Sequence, residues 1–103
     1  MTMAGVGKLL KQAQKMQRGI TEAQQKLTDE RIEISHGGGA LRVTVNGHGF
    51  VHALFIDADF LKEDKALVEQ TLLTALQEAS IKARELHETT MSKATAGFSL
   101  PGM

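Results

Sequence analysis

The chain has 103 residues, with twelve Lys and Arg against twelve Asp and Glu, so its formal net charge is zero. That length suits a single domain, 1–103, and the charge balance argues against a histone-like general polyanion binder. The absence of cysteine excludes disulfides, zinc-cysteine sites and thiol nucleophiles; the lack of a signal peptide or a bilayer-length apolar run points to a cytoplasmic protein.

The zero total hides a polarised distribution. Residues 1–28 carry Lys8, Lys11, Lys15, Arg18 and Lys26 against Glu22 alone, a net of +4. Residues 57–69 carry Asp57, Asp59, Glu63, Asp64 and Glu69 against Lys62 and Lys65, a net of −3.

Taken in chain order, the first thirty residues place Val6, Leu9, Ala13, Met16, Ile20, Ala23 and Leu27 at alternating steps of three and four. This is a heptad seam on a long helix of roughly 30–35 Å. Helix formers fill the remainder, with Gly19 the one interior residue costing about 1 kcal/mol relative to alanine.

From Arg31 the period changes to two. Ile32 and Ile34 alternate with Glu33 and Ser35, then Leu41, Val43 and Val45 with Arg42 and Thr44, which predicts two strands with one buried face each. Gly37, Gly38 and Gly39 form the turn between them, and Asn46-Gly47 with Gly49 supplies positive-φ residues for a hairpin into a third strand. That strand, about Phe50 to Ile56, is almost continuously apolar, which predicts cover on both faces.

Asp57 and Asp59 are the N-cap candidates of a second long helix, with Glu63 and Asp64 in its acidic start. Val68, Leu72, Ala75, Ala79, Ala83 and Leu86 form its stripe, widened by Leu67 and Leu76. Periodicity ends after Met91, and residues 1–7 and 94–103 are read as flexible. The order is α-β-β-β-α, a two-layer α+β protomer with a three-stranded sheet.

The first helix carries two stripes. Its apolar seam needs cover, either from a second copy or from its own sheet, and the dimer is the simpler reading. On the opposite side Lys8, Lys11, Lys15 and Arg18 recur at steps of 3, 4 and 3, interleaved with Gln12, Gln14 and Gln17. The basic stripe is about 15 Å long, and duplex DNA offers one charge per roughly 1.7 Å of axis. The stripe is therefore either a phosphate-contact surface or a solvated helix face.

Other chemistry is poorly supplied. There is no Trp or Tyr for base stacking, and Phe50, Phe55, Phe60 and Phe98 read as core or tail residues, so duplex is favoured over single strands. His48 and His52 are four apart in a turn-and-strand context, about 13 Å, too far to share a metal. The other two histidines are His36 and His87. The triglycine lacks the Lys-Ser/Thr of a phosphate-cradling loop. Asp57 and Asp59 have no accompanying nucleophile. No enzyme activity, metal or cofactor is expected.

Several runs resemble the YbaB/EbfC family of bacterial nucleoid-associated proteins. They are Lys8-Leu9-Leu10-Lys11-Gln12-Ala13-Gln14-Lys15-Met16-Gln17; Gly39, Leu41, Val43, Val45 and Gly47 with Ile56-Asp57; the alanine-rich helix around Ala75 and Ala79; and the closing Gly97-Phe98-Ser99-Leu100-Pro101-Gly102-Met103. The resemblance covers nearly the whole chain. It implies an antiparallel sheet, a tight homodimer, and duplex-DNA binding with little sequence specificity, serving nucleoid organisation and gene regulation. It also implies that Lys8, Lys11, Lys15 and Arg18 face DNA, with Lys82, Arg84 and Lys93 as further DNA-contact candidates. Gln77-Glu78 stands where the family often has Asn-Asp. The competing expectation is a protein-interaction module that recruits a replication or repair protein.

Overall fold

A computed structural model describes residues 3–98. Residues 1–2 and 99–103, including the end of the closing motif quoted above, lie outside the described residues.

The heptad-patterned segment forms one helix, α1 (Met3–Asp29), uninterrupted by Gly19. Its end is closed by Glu30 N–H donating to the Lys26 carbonyl at 3.0 Å, and by the Arg31 guanidinium donating to the carbonyls of Thr28 and Glu30 at 3.0 and 2.8 Å. These bonds satisfy carbonyls that a helix C-terminus leaves without intrahelical partners.

Three strands follow, β1 (Ile32–His36), β2 (Leu41–Val45) and β3 (Val51–Ile56), in an antiparallel sheet of order β1-β2-β3. Gly37, Gly38 and Gly39 turn between the first two with φ of 64, 68 and 94°, a left-handed run that residues with a Cβ resist. Ile34 pairs with Val43, and Val43 with Leu54, so these three share a face. A register shift between Thr44 and Val45 marks a bulge beside the β2-β3 turn.

After β3 the Asp57 carboxylate accepts the Asp59 N–H at 3.0 Å and leads into a short 3₁₀ turn, Phe60–Lys62. Neither aspartate caps the second helix. That position belongs to Asp64, whose carbonyl accepts the Val68 N–H at 3.1 Å, and α2 (Lys65–Thr95) starts there. The helix continues past Met91, where the apolar period fades, because Ser92, Lys93, Ala94 and Thr95 keep a helical backbone without needing an apolar stripe. A 3₁₀ turn, Ala96–Phe98, follows.

Ala75, Ala79 and Ala83, four apart on one face of α2, pack on Ile34, Leu41, Val43 and Val45. Ile32, Ile56, Phe60 and Leu72 border this core, and the small alanine side chains let helix and sheet approach closely. Leu67 and Leu76 do not join the stripe and are exposed.

The helix lies over β1 and β2 and leaves most of β3 uncovered. The expected two-sided cover of β3 is therefore corrected. Phe50, Val51, Leu54 and Phe55 are all exposed, Leu54 by 52% although its pairing partner Val43 is fully buried. A continuous apolar strand marks an interior position in a sheet only if the sheet extends past it, and within this chain β3 is an edge.

The second half of α1 packs on the second half of α2. A Cβ at Gly19 would stand 3.7 Å from the Ala94 carbonyl oxygen, while Leu27 sits against the β2-β3 turn next to Ala83, so the two helices run in opposite directions. This divides the heptad seam. Leu27 is fully buried and Ala23 nearly so, Met16 and Ile20 are half-buried, and Val6, Leu9 and Ala13 are exposed. Residues 5–15 project as an arm, and the described chain measures 73 × 25 × 16 Å.

Candidate nucleic-acid interface

The arm positions the basic stripe. Lys8, Lys11, Lys15 and Arg18 are exposed and in no ion pair among the described residues, where the pairs are His36-Glu78, Lys62-Asp59 and Lys82-Glu78. No acidic residue precedes Glu22. The four cations line a shallow groove of about 380 Å³ together with Gln12 and Gln14, whereas Gln17 donates along the helix to Thr21 at 3.5 Å. Ten residue-to-residue steps of about 1.5 Å spread these charges over roughly 15 Å. Solvated, unpaired cations in a row can each replace a condensed counterion on a duplex.

The three further cations occupy different settings. Lys82 lies 3.6 Å from Glu78, which also accepts from His36 Nε2 at 2.8 Å, so Glu78 ties the end of β1 to α2. Arg84 lines a cleft formed with the β2-β3 turn. Lys93 is exposed in the last turn of α2. None of the three lines the groove along the arm.

The phenylalanines also depart from expectation. Phe60 borders the core, but Phe50 and Phe55 are exposed on or beside β3, Phe50 edge-on to His52 at 4.9 Å between ring centroids and Phe55 beneath the Arg42 guanidinium at 4.3 Å. His48 and His52 serve separate neighbours: His48 Nε2 donates to the Gln24 carbonyl of α1 at 3.1 Å.

One polar residue of structural weight carries no sequence signal beyond its turn propensity. Asn46 is buried, accepts the N–H groups of His48 and Phe50 at 2.9 and 3.0 Å, and donates to the Thr28 carbonyl at 3.4 Å. It fixes the turn to the end of α1 and so sets the direction in which the arm leaves the body.

A helix-and-sheet body carrying a cationic helical arm is the architecture of a nucleic-acid-binding protein. Residues 3–98 match the model of the YbaB/EbfC DNA-binding family, and the chain belongs to that family. It is similar to a nucleoid-associated protein of Psychrobacter sp. (strain PRwf-1), 37% identical over 97 residues that cover 90% of this chain and 88% of that one. It is also similar to a nucleoid-associated protein of Ruminiclostridium cellulolyticum, 40% identical over 97 residues, covering 92% and 84%. Among solved structures, the crystal structure of an uncharacterized protein from Helicobacter pylori superposes with a TM-score of 0.70 at 27% identity, covering 86% of this chain and 91% of that chain. No helix among the described residues is long and apolar enough to cross a membrane.

Proposed function

We propose that this protein binds duplex DNA as a homodimer with little sequence preference, as a non-catalytic component of the nucleoid in the cytoplasm, where it contributes to nucleoid organisation and gene regulation. The observation that carries the reading is the row of four exposed cations, in no ion pair among the described residues, on a projecting helix of a chain in a DNA-binding family. Contacts of this kind go to phosphate and position a protein on DNA without reading base edges.

What supports the homodimer is the uncovered strand. A sheet edge with apolar side chains on both faces exposes unpaired backbone groups that a second strand can satisfy. Phe50, Val51, Leu54 and Phe55 on or beside this edge are exposed, whereas Ala23 and Leu27 of the seam are already covered within the chain. We therefore place the principal dimer contact on β3, with the arm seam on the side of α1 opposite the DNA-facing stripe. A mobility-shift titration with the double variant Lys11→Glu, Lys15→Glu tests the DNA reading: the shift should disappear, and binding equal to the parent's would reduce the stripe to a solvated face.

A further inference from the structure

The molecule has a second concave surface, away from the arm. It lies between the β2-β3 turn and α2, has a volume of about 350 Å³, and is lined by Gly47, His48, Gly49, Ser80, Ala83, Arg84, His87 and Glu88. The His48 and His87 rings meet edge-on with centroids 5.7 Å apart. We propose that this cleft is a phosphate-binding site, in which Arg84, His48 and His87 hold a backbone phosphate of bound DNA with an affinity that rises as the pH falls. The proposal rests on the duplex-binding reading and adds to it a second contact and its regulation.

The chemistry follows from the donors present. Arg84 is exposed and in no ion pair among the described residues, so its planar fork is available to two phosphate oxygens. The Ser80 hydroxyl is a further donor, and the two glycines leave the backbone bare of side chains along one wall.

The hydrogen bond of His48 makes the site pH-dependent. Its Nε2 donates to the Gln24 carbonyl, which can only accept, so in the neutral ring Nδ1 carries the lone pair and cannot donate to an anion. Protonation gives both nitrogens an N–H, so the carbonyl and a phosphate can be served together. Protonation of His87 beside it likewise adds a donor and a charge. The other charged groups lining the cleft are Arg84, which favours the anion, and Glu88, which opposes it. At neutral pH Glu88 holds the cleft's anion affinity down.

The experiment is a titration of the full chain, following the His48 and His87 imidazole resonances and the amides of the arm by NMR at about pH 6 and pH 7.5. The probes are a short duplex and, separately, inorganic phosphate. Duplex should move both imidazoles at the lower pH. Affinity for duplex should rise about tenfold more between the two pH values in the parent than in His48→Gln, His87→Gln, with His52→Gln behaving as the parent and Glu88→Gln binding more tightly at both. If inorganic phosphate moves the imidazoles and duplex does not, the cleft takes a free phosphate and its assignment to DNA is overturned. Neither probe moving them while duplex moves the arm amides overturns the site and leaves the DNA reading standing. Duplex that moves no resonance overturns that reading itself.

Discussion

The Gly47 N–H donates to the Leu27 carbonyl at 2.8 Å, joining the β2-β3 turn to the last buried turn of α1. A Cβ on Gly47 would stand 2.5 Å from Leu27 Cδ2 and 2.9 Å from its Cβ, so glycine is required there by proximity. Gly47 itself does not adopt positive φ; in this hairpin turn Gly49 does, at 83°. The orientation of the arm on the body passes through this contact and through Asn46 beside it.

Gly47→Ala should therefore destabilise the fold by about 1–3 kcal/mol through overpacking against Leu27. Denaturant unfolding measures it directly. A variant as stable as the parent would mean that α1 shifts freely away from the turn.

Substitution on the arm should behave differently. Leu9 is exposed, so Leu9→Lys is expected to change stability by less than about 0.5 kcal/mol. Leu27→Ala, at a fully buried position, should cost about 2–5 kcal/mol. Equal losses at the two positions, read from the same denaturation curves, would contradict the division of the seam.

That division shows what the sequence makes legible. The alternating three and four spacing from Val6 to Leu27 announces a helix with one apolar face, and alternation through Ile32, Ile34, Leu41, Val43 and Val45 announces strands, because both periods are local properties of backbone geometry. What covers each face is a long-range fact. The same seam meets α2 at Ala23 and Leu27 and solvent at Val6 and Leu9 because α2 ends before the arm does. The apolar run of β3 likewise reads as an interior strand, although no strand of its own chain lies outside it among the described residues. The basic stripe was visible from spacing alone, but freedom from ion pairs depends on where Glu78 and the acidic residues 57–69 fold. Glu78 faces His36 and Lys82, not the arm.

The β3 edge yields a third prediction. Leu54→Glu puts a charge on the proposed dimer contact at a position that is 52% exposed within the chain. It should lower the mass seen by light scattering from dimer to monomer while the circular dichroism spectrum stays that of the parent. A dimer that survives this change would move the interface away from β3.

The salt dependence of duplex binding tests the central claim most directly. If Lys8, Lys11, Lys15 and Arg18 each neutralise a phosphate, the slope of log K against log salt should be about −3.5 per protomer from the arm alone. Removing Lys11 and Lys15 as alanines should bring it about 2 closer to zero for each protomer engaged. A double variant that binds with the parent's slope would show that the arm does not touch the phosphates.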